Sequence, residues 1–565
     1  MEENNVIKRN RTALVVVSLV LLFAFVLYLK TTLPNPITFG DEGYHTELSK
    51  WMAEHQEYPV WIPFESSKLM YSDFGRPPLF NILQAGIFSI FGFSELIVKV
   101  LTPFIAVLTG LGVFLLVKRL YGKEIGLLSS ILLITLPSFV TYSVLFYTET
   151  LFTFYTTLFI LSLLISINED SKKYWMLSAL FGGLAFLTKN NGVVFLLFLP
   201  LIAIYLLIKE KNKPQIQLFR NYFIFAVIFL LVISPFILRN YYYYQAPMCY
   251  PLPLLDTSKC NVSNFVPKYS FDTRTIQGGT ENSVFTLGLT NYINFAYGDW
   301  SPDSTGLLRP IYSILNPLQT LSGNMFGGLS LSSVFLFVGL IGGIFLFLRE
   351  HTTIGIALLI IMVTFFTIFY QSRERAEDAS RHTLLWAPLI AVLASVFWVN
   401  VSKLSNKYGK YILIGFVVLA LLLGLQQAMG KLATMSQVKQ FSPTFFEACD
   451  WVKANLPKDS LLYTFWGHRA AYSCDRTISP SIADIVLSDD PAYVNDVAHQ
   501  NGITHIFIQK FSITQQPTKE SYSVSFVELL ENSTKYFQKV YENGPSLNDC
   551  LNKGACDGNI IYKVV

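Results

Sequence analysis

The chain has 565 residues, 52% of them hydrophobic and only 14% charged, with a mean hydropathy of +0.44. That charge content lies well below the roughly 25% of soluble proteins, which excludes an ordinary soluble enzyme and predicts a polytopic α-helical membrane protein. A net charge of +4 is too slight to argue for nucleic acid as a partner.

The first apolar run, Ala13 to Leu29, is followed by no small-residue cleavage site and reads as a retained anchor. About ten residues beyond it comes Phe39-Gly40-Asp41-Glu42-Gly43-Tyr44-His45. A carboxylate beside a bilayer can act as a general base on a hydroxyl, so Asp41 and Glu42 are candidate catalytic acids. Tyr44 and His45 are candidate acceptor or sugar contacts. Asp41, Glu42 and His45 also have metal-binding atoms, but no second cluster has metal-like spacing, so no cofactor is expected and a divalent metal at these three is the alternative. Arg76 precedes Pro77-Pro78, a stiff pair that would present its guanidinium to a lipid phosphate. The run from Pro78 to Phe93, roughly sixteen residues, is under the usual length of a span and reads as a helix along the outer interface. Glu95 and Lys99 have the i, i+4 spacing of a local ion pair.

About eleven spans are predicted, near 13–29, 95–117, 124–147, 150–167, 174–188, 192–208, 221–238, 330–348, 353–370, 384–400 and 411–428. With the N-terminus in the cytoplasm, the inside segments carry Lys8/Arg9/Arg11, Lys118/Arg119/Lys123, Lys172/Lys173, Lys209/Lys211/Lys213/Arg220, Arg349 and Lys403/Lys407/Lys410. That agrees with the retention of Lys and Arg on the cytoplasmic side. The outer face then receives the loop 30–94, Glu149 in Tyr147-Thr148-Glu149-Thr150-Leu151, and the cations Lys189, Arg239 and Arg381. An acid in so apolar a setting is a functional candidate, and its alternative is a helix cap in the outer turn. The cations are candidate phosphate ligands, against the alternative of snorkelling at span ends. Tyr241 to Tyr244 read as an interfacial aromatic belt.

Two further outer segments are expected: a loop at 239–329 and, after a transmembrane domain of 1–436, a soluble α/β domain at 437–565. In the latter, Phe445 to Asn455 has helical spacing, while Leu461 to Phe465 and Thr504 to Gln509 read as strands. All six cysteines (Cys249, Cys260, Cys449, Cys474, Cys550 and Cys556) fall outside, as disulfides require. Six cysteines allow fifteen pairings, of which nearest-neighbour pairing is one. The sequons at Asn261 and Asn532 also fall outside.

Taken in this order, the residues resemble the GT-C membrane glycosyltransferases that use polyprenyl-phosphate sugars, among them the protein O-mannosyltransferases and the lipid A aminoarabinose transferase. In that superfamily an Asp-Glu pair opens the first external loop, matched by Asp41-Glu42. A basic residue before two prolines follows, commonly Lys, and here it is Arg76. An acid, usually Asp, ends the third span, and Glu149 occupies that place. GGLAFLTKNNG is similar to the family's Leu-Thr-Lys-Gly stretch, with Asn190 where Gly is usual, and SRHTLLWAPLIAVLAS is similar to its late Arg-Tyr…Pro segment. SELIVKVLTP and KRLYG resemble the next span and its cytoplasmic end. The Trp-Trp-Asp signature of oligosaccharyltransferase catalytic subunits is absent.

The resemblance implies an inverting transfer of a monosaccharide from a dolichyl- or undecaprenyl-phosphate donor to a protein, lipid or glycan acceptor. Asp41 would be the base, Glu149 and Glu42 would support it, and Arg76, Arg239, Arg381 and Lys189 would hold the phosphate. The expected setting is a multi-pass protein in lipids of the plasma membrane or endoplasmic reticulum. The competing reading is a transporter or flippase for a lipid-linked or anionic solute, which predicts charges buried mid-span and two related halves. A third is a polysaccharide-assembly scaffold, which would not need acids at both loops.

Overall fold

The computed structural model describes residues 2–37, 41–59, 77–169, 171–189, 192, 195, 215–245, 331–349, 384–405, 407–439, 442–464, 467–479, 485, 488–514, 522–547, 549 and 556–565. Arg76, Arg381, Cys249, Cys260, Cys550, the sequon at Asn261 and the expected spans at 192–208 (Gly192 and Phe195 apart) and 353–370 lie outside these residues, as does most of the expected loop 239–329.

Apolar helices come first. They are α1 (Glu2–Thr32), α4 (Glu95–Tyr121), α5 (Lys123–Thr135), α6 (Pro137–Ser143), α7 (Thr148–Glu169), α8 (Lys172–Phe186), α9 (Gln215–Tyr244), α10 (Leu331–Arg349), α11 (Ala387–Lys403) and α12 (Gly409–Lys439), with α2 (Glu42–His55) and α3 (Leu79–Phe91) between α1 and α4. Among the described residues, five helices are long and apolar enough to cross a membrane: 13–32, 95–121, 148–169, 220–243 and 409–437. The expected span at 124–147 is broken. It bends by 65° between α5 and α6, because Pro137 sits at the first position of α6 and cannot continue the hydrogen bonds of α5. At 13 residues α3 is about 20 Å long, too short to cross a hydrocarbon core.

In the bundle α4 lies against α1, α5 and α7, α7 against α8, and α8 against α9, while α11 and α12 close over α5. One apolar core joins them, from Leu21 and Tyr28 through Phe114, Leu133, Phe159 and Phe229 to Ala391. Backbones approach closely where α4 meets α5. A Cβ added to Gly126 would lie 2.9 Å from the carbonyl oxygen of Phe114, the small-residue contact common between membrane helices. Large apolar side chains such as Leu19, Leu22, Leu231 and Leu422 face outward.

After α12 the composition changes and a small α/β unit follows: α13 (Pro443–Asn455), β1 (Leu461–Tyr463), α14 (Gly467–Cys474), β2 (Thr477–Ser479), α15 (Pro491–Gln500), β3 (His505–Gln509), β4 (Ile513–Thr514), β5 (Tyr522–Ser523), α16 (Val524–Asn532), β6 (Phe537–Asn543) and β7 (Asn559–Val564). Five strands form a mixed sheet in the order β2-β1-β3-β7-β6, parallel on the β2-β1-β3 side and antiparallel from β3 onward. Alternation of side chains sends Leu461, Tyr463, Ile506, Ile508, Ile560 and Tyr562 to one face, where α15 and α16 cover them. Leu462, Phe507 and Ile561 face the other way, toward α13 and α14.

That second apolar cluster does not end at the C-terminal unit. It continues into Tyr44, Leu48, Trp51 and Met52 of α2 and Ala85 of α3. The layers therefore run sheet, α13 and α14, α2, then α3, so the helix that begins beside Asp41 is held between the C-terminal unit and the rest of the chain.

Cys449 of α13 and Cys474 of α14 form a disulfide across a separation of 25 residues, in agreement with nearest-neighbour pairing. Cys556 is also disulfide-bonded. A Cys449→Ser/Cys474→Ser double variant is expected to lose about 3 kcal/mol of stability on loop-closure grounds, seen as a lower thermal midpoint of the full-length protein in detergent.

Candidate active site

Asp41 and Glu42 diverge although they are neighbours. Asp41 is the residue before α2, and its carbonyl accepts the first helical hydrogen bond, from the His45 N–H at 3.0 Å. Its side chain does not cap the helix, and the residue is partly exposed. Its own N–H donates to Tyr147 Oη at 3.3 Å. Glu42 is fully buried, and its Oε1 accepts the Phe146 N–H at 2.9 Å. The N-terminus of α2 is thereby fastened to the turn that leads into α7. Both acids sit at a helix N-terminus, where the backbone dipole favours negative charge.

Two residues beyond Tyr147, Glu149 in the first turn of α7 is 1% exposed and accepts a hydrogen bond from Lys189 Nζ at 2.6 Å. Thr148 Oγ1 lies 3.3 Å from the other carboxylate oxygen. Lys189, expected on a donor phosphate, is thus engaged by Glu149. The pair ties the end of α8 to the start of α7. Burying either charge alone is costly, and this contact supplies the compensation.

Arg239, near the C-terminal end of α9, reaches the segment after α2. Its Nη2 donates to the Pro59 carbonyl at 2.7 Å, and its guanidinium lies 4.3 Å from the ring centre of Tyr58 and 5.4 Å from that of Tyr243. Stacking on two rings fixes the plane of the cation. Tyr241 and Tyr242 are exposed, at 60% and 74%.

Tyr44 and His45 go elsewhere. Tyr44 is buried in the cluster shared with α13 and α14. His45 is 2% exposed, with Nδ1 3.3 Å from Asn81 Oδ1 and its ring edge-on to Tyr44 and Phe80. Both rings, expected as sugar or acceptor contacts, are buried against protein side chains. They join α2 to α3 and to the C-terminal unit. Among the described residues no three His, Cys, Asp or Glu side chains gather as metal ligands would.

Three participants were not anticipated. Tyr147 and the Phe146 backbone hold the acid pair, although only their closeness in sequence to Glu149 hinted at it. The third is Arg469 on α14, 7% exposed, whose electrostatic neighbours are Tyr147 and Glu42. Burial pulls its pKa down to about 10, against the opposing pull of those two groups, so it stays charged at neutral pH. Nothing local in the sequence marks it. Glu95 and Lys99 do form the expected pair, at 3.2 Å, and Tyr472 of α14 donates to Glu95 at 2.6 Å.

An apolar helical bundle with paired acids and cations at one end, followed by a mixed α/β unit, gives this chain a fold similar to that of solved membrane glycosyltransferases. Within it, residues 75–238 match the family model described as dolichyl-phosphate-mannose-protein mannosyltransferase. Three solved structures are similar over most of their length. The apo Archaeoglobus fulgidus oligosaccharyltransferase has a TM-score of 0.62 at 13% identity, covering 95% of this chain and 81% of that one. The Archaeoglobus fulgidus oligosaccharyltransferase AglB in complex with an inhibitory peptide and a dolichol-phosphate scores 0.58 at 15% identity, covering 94% and 73%. ArnT from Cupriavidus metallidurans bound to undecaprenyl phosphate scores 0.51 at 13% identity, covering 97% and 98%. No curated protein sequence matches the chain.

Proposed function

We propose that the protein transfers a monosaccharide from a polyprenyl-phosphate donor to an acceptor hydroxyl at the extracytoplasmic membrane face, with inversion and with Asp41 as general base. The observation that carries this reading is the placement of Asp41: partly exposed at the start of α2, with its backbone fastened to Tyr147 and its neighbour Glu42 fastened to Phe146. Support comes from the family-model match and from neighbours of the same fold that hold dolichol-phosphate or undecaprenyl phosphate.

In this scheme Asp41 takes the acceptor proton as the hydroxyl oxygen attacks the anomeric carbon. The bond from that carbon to the phosphate oxygen breaks, and polyprenyl phosphate leaves with the electron pair. Phosphate is already a good leaving group, so the protein supplies a base, cations and alignment. Arg239 is assigned to the departing phosphate, together with Arg76 and Arg381 from the sequence pattern. Glu149, paired with Lys189, is a strut that fixes the start of α7. The basic loops assign the N-terminus to the cytoplasm.

The test is turnover by purified protein in nanodiscs, with labelled polyprenyl-phosphate sugars and acceptor extracted from the native membrane. Release of free polyprenyl phosphate with an inverted linkage in the product supports the scheme. Movement of an intact lipid-linked sugar across proteoliposomes without transfer would replace it with the flippase reading. Under the same assay Arg239→Ala is expected to raise the donor KM about 10–100-fold with kcat little changed, as loss of a charged hydrogen bond predicts. An unchanged donor KM removes Arg239 from the phosphate site.

A further inference from the structure

We propose that Arg469, carried by the C-terminal α/β unit, is a positioning residue of the acid centre, holding Glu42 and Tyr147 so that Asp41 is aligned for proton transfer. The inference deepens the transfer reaction proposed above and rests on it. It makes the C-terminal unit a working part of the site.

The geometry begins with how α14 is mounted. Its C-terminal end is locked by the disulfide from Cys474 to Cys449 on α13. Just beyond it, Arg476 Nη2 donates to the carbonyls of Val452, Lys453 and Leu456 at the end of α13, at 3.3, 3.1 and 2.7 Å. The inner face of α14 is small, with Ala470 and Ala471 fully buried in the cluster that holds Tyr44, Leu48, Trp51 and Met52 of α2. Small side chains let the two helices approach closely. Tyr472, on the same helix, donates to Glu95 at the start of α4. The helix is therefore fixed against the sheet unit, α2 and α4 together.

Arg469, 7% exposed on this helix, has Tyr147 and Glu42 as its electrostatic neighbours. Glu42 is fully buried, and a buried carboxylate needs a compensating cation as well as hydrogen bonds. In this proposal Arg469 supplies charge for Glu42 and steadies the Tyr147 whose hydroxyl accepts the Asp41 N–H. Loss of Arg469 would loosen both tethers of the Asp41 backbone without touching donor or acceptor.

The experiment compares full-length wild type, Arg469→Met, Arg469→Lys and Tyr472→Phe in nanodiscs, with transfer and thermal midpoint measured on each. Arg469→Met is expected to lower kcat roughly 10–100-fold with both KM values within about threefold of wild type. Arg469→Lys, which keeps the charge but not the fork, should recover much of that loss. Tyr472→Phe weakens the docking of α14 and leaves the cation, so kcat should stay within about threefold. If Arg469→Met does not fold, the neutral polar Arg469→Gln takes its place. Wild-type kcat in the folded neutral variant overturns the proposal, as does equal loss in Tyr472→Phe with no rescue by Lys, which would mean docking alone. A wild-type protein that transfers no sugar overturns the parent reading and this one with it.

Discussion

Asp41→Asn is expected to lower kcat about 10²–10⁴-fold, the range for removing a positioned general base, with donor KM near the wild-type value. The substitution is close to isosteric, and Asn is as good as Asp at the start of a helix. The Asp41 side chain makes no capping hydrogen bond, and the hydrogen bonds of its backbone, to Tyr147 Oη and from the His45 N–H, are available to Asn as well. Stability should change little, so a thermal midpoint beside that of wild type makes the kinetic loss readable as chemistry. Glu42 is a poor substitute for the base because it is sealed from solvent and clamped to Phe146. A full rate in Asp41→Asn would show that the proton leaves by another route and would remove Asp41 as base.

The contrast between these two acids could not be read from the sequence. Their place just after the first apolar run was legible, as was that of Glu149, because charge beside long apolar helices stands out. Helix 443–455 and strands β1 and β3 were legible from period alone. The burial of Tyr44 and His45 was not legible, for a physical reason. Adjacency to Asp41 suggested shared function, but α2 is covered on one side by α3 and on the other by α14. Ten of its fourteen residues are buried, polar ones included. A helix with that composition does not announce burial, since Thr46 and Ser49 are satisfied by the Glu42 carbonyl and by Asn81. The ion pair of Glu149 with Lys189 joins residues 40 apart, beyond any local spacing rule. Arg469 is further still from the acids it faces. The break at Pro137 did carry a signal, a proline in the middle of an apolar run, which the expected span at 124–147 passed over.

The ion pair of Glu149 with Lys189 gives the other large effect. Lys189→Met is expected to destabilise the protein by about 3–5 kcal/mol, because it leaves Glu149 charged at 1% exposure with its cation removed. Met fills much of the volume of the Lys stem, so the cost falls on the charge more than on packing. A Lys189→Met/Glu149→Gln double variant removes both charges together, and its stability should return to within about 1 kcal/mol of wild type. Thermal unfolding of the three proteins in nanodiscs measures the coupling directly. Additive losses in the double variant would mean that the two residues do not act as a pair. Transfer measured on the double variant then settles what the pair is for. Glu149 lies in the first turn of α7, two residues after the tyrosine that meets the Asp41 N–H. If its work is to hold that turn, the neutral and well-folded double variant should recover most of the wild-type kcat. Restored stability with transfer still lost would assign the Glu149 carboxylate to the acceptor and make it part of the chemistry.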